Sequence, residues 1–257
     1  SETASITINA GHTVTLDVTF VLRDNITFTN NGVLSIGQAG ELINTTSNNV
    51  GGIVEIVTPI KAINNWTFIG APFAEYELGA VMPVSGSDIA MVKYNYTNGA
   101  WSNDWATINT HMEAAEGTFA WPFYGGVITF STYNFGASTN STYPANANAN
   151  YALNNGNFTV TKSIQQNTAN GYWMALANPY PAKLSVSKFL AGNTSLQGGC
   201  TYSFNGTSFD IKNATDGNIG MTEGFFVNFG SAGSHTANFN KEQLTNWPTP
   251  PSKSEVS

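Results

Sequence analysis

The chain has 257 residues, 41% hydrophobic and 12% aromatic, which suffices for about two or three buried cores. Only 10% are charged, against the roughly 25% of ordinary soluble domains, so Asn, Thr, Ser and Gly must build the solvent face. Nine Lys and Arg and a net charge of −7 offer a phosphate backbone almost no cationic footprint, which argues against nucleic acid as a partner.

Cys200 is the sole cysteine, so an intramolecular disulfide is excluded. No run approaches the roughly eighteen apolar residues of a membrane span, and none is expected. Ser1 opens in polar sequence; for a secreted protein this predicts a signal peptide already removed.

Strand signals come first along the chain. Ile6-Thr-Ile8, Val14-Thr-Leu16-Asp-Val18 and Val33-Leu34-Ser-Ile36 are separated by Ala10-Gly11, Asn30-Asn31-Gly32 and Ala39-Gly40. Short apolar runs with turn signals at this spacing predict a sandwich, a barrel or stacked β-rungs. Residues 1–50 therefore read as a β-rich N-terminal segment.

A repeat follows. Trp66-Thr-Phe-Ile-Gly-Ala-Pro72-Phe73 returns 107 positions later as Trp173-Met-Ala-Leu-Ala-Asn-Pro179-Tyr180. The same offset carries Asn98-Gly99 onto Asn205-Gly206, and Glu116-Gly117-Thr-Phe119 onto Glu223-Gly224-Phe-Phe226. One unbroken offset predicts a tandem duplication, with a first copy over 51–135 and a second over 157–243. Residues 136–156 are low in complexity and predict a linker or long loop, and 244–257 a Pro-rich extended tail. Short helices are expected over Thr107–Glu116 and Ser185–Leu190. The fold class is all-β: tandem sandwich-like modules behind a β-rich, rung-like leader.

The second copy resembles a module of large secreted proteins of Bacteroidota exported by the type IX secretion system. The residues that carry the resemblance are Ala177-Asn178-Pro179-Tyr180-Pro181, Tyr202-Ser-Phe204-Asn205-Gly206 and Glu223-Gly224-Phe225-Phe226-Val227, after an Asn155-Gly-Asn-Phe-Thr-Val-Thr lead-in. The first copy is similar but degenerate, and Glu stands at 116 and 223 where the module carries Gln. The resemblance implies an extracellular or cell-surface protein, with a Pro-rich end where a sorting domain would have been removed.

Trp66 and Trp173 begin strands that Pro72 and Pro179 end, and both are expected in the core. Paired Glu116 and Glu223 invite a glycosidase reading, but equivalent positions of two modules should not face one bond. His12, His111 and His235 lack ligand spacing; Asp210, Asp216 and Asn218 fit no EF-hand loop. No catalytic residue, metal or cofactor is expected. Nine Asn-x-Ser/Thr sequons (Asn25, Asn44, Asn65, Asn95, Asn140, Asn157, Asn193, Asn205 and Asn213) read as surface polarity.

The copies differ most in aromatics. Trp101, Trp105 and Trp121 have Ser208, Lys212 and Asn228 at the 107 offset, and the strand of Phe119, Trp121 and Phe123 changes phase relative to Phe225, Val227 and Phe229. Either a bulge restores the register or the first copy turns these rings outward. A ligand- or partner-binding surface is accordingly expected at Trp101, Asp104, Trp105, Trp121 and Phe123. The function expected is a non-catalytic structural or adhesive surface protein, self-associating into fibres or bound to another surface protein. The alternative is a carbohydrate-binding module using the first copy's aromatics.

Overall fold

The structure is a computed structural model and describes residues 3–48, 50–59, 65–73, 75–77, 89–102, 111–122, 127–131, 153–165 and 171–248. It is all-β, with one α-helix, α1 (Val186–Ala191), among the described residues.

Three strands, β1 (Ala4–Ile8), β2 (Thr13–Leu16) and β3 (Thr19–Leu22), are followed in the same order by β4 (Ile26–Asn30), β5 (Val33–Ile36) and β6 (Glu41–Asn44). Each strand of the first trio pairs in parallel with its successor: Ala4 faces Ile26, Thr13 faces Val33 and Thr19 faces Glu41. The chain thus winds through two stacked coils, and of the three architectures the leader allowed, stacked rungs form. Apolar alternation points Leu34 and Ile36 inward, 1% and 0% exposed. At the corners the coils approach too closely for side chains: a Cβ at Gly40 would strike the Leu16 carbonyl, and one at Gly32 the His12 carbonyl. Buried Asn30 ties a corner down, donating to the carbonyls of Gly51 (2.8 Å) and Ile53 (3.1 Å) and accepting from the Gly32 amide (3.2 Å).

The next strand, β7 (Ile53–Pro59), pairs in parallel with β5 and antiparallel with β14 (Val127–Ser131), giving one mixed sheet of order β14-β7-β5-β2. The boundary expected at residue 50 therefore lies beside a continuous sheet. Between β7 and β14 run β8 (Thr67–Ile69), β9 (Glu75–Glu77), β10 (Ile89–Asn95), β11 (Ala100–Trp101), β12 (His111–Glu113) and β13 (Thr118–Pro122). The described part of the helix expected over Thr107–Glu116 is thus strand β12 and a turn; residues 107–110 lie outside the described residues. Pairing with β9 overrides a weak local propensity.

A second set of eight follows: β15 (Phe158–Ile164), β16 (Trp173–Ala177), β17 (Leu184–Ser185), β18 (Cys200–Phe204), β19 (Phe209–Asn213), β20 (Asn218–Ile219), β21 (Gly224–Asn228) and β22 (Gly233–Phe239). Its pairing repeats the first strand for strand. The sheet β11-β10-β13-β8 has its counterpart in β19-β18-β21-β16, β12-β9 in β20-β17, and β14-β7 in β22-β15. Helix α1 lies where a helix was expected over 185–190; its Ser185 N-cap Oγ accepts the Lys188 amide.

Two apolar cores lie behind the paired sheets. One joins the coils to the first set through Leu34, Ile56, Phe73, Met112 and Phe130; the other fills the second set around Phe189, Phe225 and Phe239. Residues at the end of the expected linker belong to this fabric: Leu153 bridges to Phe73, and the Asn154 amide donates to Pro72 O at 3.0 Å. Residues 136–152 and 249–257 lie outside the described residues, as does most of the expected tail.

Candidate functional site: the aromatic layer between the two sheets

Period-two alternation gives β8, β10, β13 and their counterparts a second face, turned away from the cores. On that face stand Trp66, Phe68, Val92, Tyr94, Trp101 and Phe119 from the first set, and Trp173, Ala175, Tyr202, Phe204 and Phe226 from the second. The two faces pack on each other. Phe68 lies 4.6 Å from Phe119 in a stacked pair and 5.0 Å from Phe226, and Tyr94 meets Phe226 at 5.2 Å.

Trp66 and Trp173 belong to this layer and not to the module cores, which corrects the expectation for both. Each is half-buried, because Trp66, just before β8, and Trp173, the first residue of β16, stand on the face opposite Thr67 and Met174. The Trp66 ring meets Trp121 at 5.1 Å and the Trp173 ring meets Tyr202 at 4.8 Å.

Pairing is continuous across β13: Ala120 faces Thr67, Phe119 faces Phe68 and Thr118 faces Ile69. No bulge interrupts residues 118–122, so Phe119 and Trp121 do turn to the outer face. The second sheet covers Phe119, which is 6% exposed, while Trp121 stays half-buried.

The constant offset misplaces one hairpin. Val92 faces Phe119 and Tyr202 faces Phe226, so the equivalent residues of β10 and β18 lie 110 apart. Tyr94 paired with Trp101 then corresponds to Phe204 paired with Phe209. Trp101 therefore has an aromatic counterpart, Phe209, and not Ser208. Likewise Asn95, not Asn98, corresponds to Asn205: Asn95 Oδ1 accepts the Thr97 amide at 2.9 Å, and Asn205 Oδ1 accepts the Thr207 amide at 3.0 Å. The same bond closes Asn44-x-Thr46 (3.0 Å) and Asn213-x-Thr215 (2.9 Å). At these four positions the sequon is Asx-turn chemistry.

An open cleft of about 460 Å³ enters the layer, lined by Trp66, Val92, Trp101, Ser102, Phe119, Phe204 and Phe209. Of the expected surface, the structure brings Trp101 to this cleft and sets Trp121 against its Trp66 wall. Asp104, Trp105 and Phe123 lie outside the described residues. The 107 offset missed Phe204 and Phe209; the signal that finds them is the alternation Tyr202, Phe204 read at an offset of 110.

Glu116 and Glu223 have separate environments. Glu116, 8% exposed, takes Lys93 Nζ at 3.0 Å and Lys162 Nζ at 3.3 Å. Burial pushes its carboxyl upward, but the charges and hydrogen bonds of Lys93 and Lys162 outweigh this and hold it below the ordinary carboxylate range. Glu223 takes Lys212 Nζ at 3.0 Å and accepts the Gly220 amide at 2.6 Å. Glu223 thus closes a turn, whereas Glu116 sits between two lysines. Asp210 accepts from Asn205, Asp216 from the Asn213 amide, and Asn218 from Thr245.

No curated protein and no solved structure matches the chain. A family model does match, over residues 1–216, which takes in both coils, the first set of strands and the second as far as β19. The chain belongs to this family, described as a domain of unknown function, DUF8693.

Proposed function

We propose that the chain is a non-catalytic structural or adhesive β-protein of the cell surface or extracellular space, and that it self-associates through its first coil. The observation that carries this reading is the state of that coil. Burial rises sharply from β1, β2 and β3 to β4, β5 and β6. Ile6, Val14 and Val18 stand 37%, 41% and 67% exposed. Among the described residues, each first-coil strand pairs on one side only. Protected edges carry Lys, Pro or bulges; β1, β2 and β3 read ASITI, TVTL and TFVL, without a charge or proline. Such edges accept further strands by backbone pairing. The low-charge polar surface and the engagement of Glu116 and Glu223 by lysines support the non-catalytic part.

Light scattering over a concentration series tests the reading. Wild type should grow in mass, and Val14→Lys should remain monomeric with an unchanged unfolding midpoint. A wild type that is monomeric at every concentration sinks it.

Carbohydrate binding is the second reading, favoured by half-buried Trp101 at the mouth of the cleft. It stands behind the first because sugar hydroxyls need polar partners. Apart from the indole N–H groups of Trp66 and Trp101, Ser102 carries the only polar side-chain group among the described lining residues, and its Oγ already accepts the Lys93 amide at 3.2 Å. Pull-down on insoluble polysaccharide, compared between wild type and Trp101→Ala, decides it.

A further inference from the structure

We propose that the cleft between the two sheets binds a quaternary ammonium group, a role independent of self-association through the first coil. The cleft is walled mainly by aromatic rings. Phe119 forms its base, backed on one face by Phe68, whose plane is inclined only 18° to it. The planes of Trp66, Trp101, Phe204 and Phe209 stand at 74°, 77°, 87° and 77° to Phe119, with centroids 4.4–6.5 Å away. All five rings line the cleft. Two walls come from the first set of strands and two from the second, so the site exists only where the halves meet.

The electrostatics select the ligand. Aromatic faces carry negative quadrupole potential, and several rings around one volume attract a cation without contributing a formal charge. A primary ammonium or a guanidinium would enter with N–H donors, and the described lining residues include no carboxylate to receive them. A quaternary ammonium has no N–H to leave unpaired and presents methyl groups to the walls. A sugar would strand its hydroxyls in the same volume. The chain's net charge of −7 favours a cation over an anion. The volume of about 460 Å³ and the open mouth leave room for the substituent that bears the ammonium group.

The full chain is titrated at constant ionic strength with tetramethylammonium chloride, with choline, and with 3,3-dimethylbutan-1-ol, the neutral isostere of choline, following tryptophan fluorescence and heat. Choline should bind at least about tenfold tighter than the isostere. Phe209→Ala, which truncates a half-exposed wall, should abolish binding. Ile211→Ala, at an exposed residue of the same strand outside the lining, should retain it. A peptide bearing trimethyl-lysine, compared with choline, tells whether a side chain or a small molecule is the tighter ligand. Equal binding of the isostere would make the cleft a plain apolar pocket and overturn the proposal. Absence of choline binding, or binding indifferent to Phe209→Ala, overturns it as well.

Discussion

Ala115 and Thr222, 107 residues apart, share a left-handed backbone with φ of 62° and 60° and point their carbonyls into opposite halves of the molecule. The Ala177 amide donates to Ala115 O and the Gly70 amide to Thr222 O, both at 2.9 Å. Neighbouring bridges obey the same exchange: Ile69 pairs with Glu223, and Glu116 with Leu176. Each residue of one half thus meets its partner's equivalent in the other, the self-complementary logic of a two-fold interface within a single chain. A non-glycine residue in this region costs about 1–3 kcal/mol. The two reciprocal hydrogen bonds give a reason for keeping it.

Thr222 adds a contact that Ala115 lacks. Its Oγ1 lies 2.7 Å from Thr58 Oγ1, with both residues buried. Thr222→Val should cost about 1–3 kcal/mol in urea unfolding, because a buried hydroxyl on Thr58 loses its partner. The double variant with Thr58→Val should recover part of that loss, since neither hydroxyl then remains. Strict additivity of the two single losses would show that the pair is not coupled.

Legibility in the sequence followed the physics of each signal. The duplication was readable because Trp66, Pro72, Glu116 and Phe119 keep one offset, and the pairing β16–β21 repeats β8–β13 at that offset without a slip. The Asn98–Gly99 match was a local coincidence. A turn needs only Asn and Gly near its apex, so composition imitated equivalence while β10 had shifted by three residues relative to β18. The burial of Trp66 and Trp173 was misplaced because a strand's first residue belongs to whichever face its alternation dictates. An aromatic layer between two sheets also collects large rings, but leaves those at its margin, such as Trp66 and Trp173, half-buried. The parallel coils were half legible: apolar alternation announces strands, but their direction depends on partners some twenty residues away.

The distinction between layer and core is measurable. Phe225 is 0% exposed in the second core, and Phe225→Ala should cost about 3–5 kcal/mol. Trp173 is half-buried on the layer, and Trp173→Ala should cost about 1–3 kcal/mol despite removing more atoms. Equal losses in denaturant unfolding would place Trp173 in a core after all.

Coil stacking has its own weak point. A methyl group at Gly40 would enter the space of the Leu16 carbonyl, backbone that cannot rotate away. Gly40→Ala should destabilise by about 1–3 kcal/mol through overpacking. At Gly156 a Cβ meets nothing within 4 Å, so Gly156→Ala should change stability by less than about 1 kcal/mol. A Gly40→Ala protein as stable as Gly156→Ala would argue against the stacked coils.

The charge cluster at the junction predicts how stability depends on pH. Glu116 accepts from Lys93 of β10 and Lys162 of β15, and Lys162 also reaches Glu113 at 3.3 Å. Lys93 and Lys162 thus come from different halves, and Glu116 holds them together. Burial disfavours the charged form of Lys162, but Glu116 and Glu113 outweigh it and raise its affinity for the proton. A carboxyl held below its ordinary value of 4.5 contributes fully above that value. Its contribution is lost as pH falls through the lower folded-state value. A raised lysine contributes fully below its ordinary value of 10.5 and loses it only as pH rises beyond. Between pH of about 5 and 10 both contributions are therefore complete. Glu116→Gln should cost about 1.5–3 kcal/mol across that plateau, having lost hydrogen bonds to two charged donors. The difference from wild type should shrink steadily below pH of about 4.5, where the unfolded chain takes up the proton first, and vanish once pH falls below the depressed folded-state value. Glu223→Gln should cost less, because an amide oxygen still accepts the Gly220 amide and Lys212 keeps its bond to the Asn218 carbonyl at 3.0 Å. Urea midpoints of the three proteins between pH 3 and 9 check both statements, and a Glu116→Gln deficit that persists unchanged at pH 3 would show that the ion pairs do not set it.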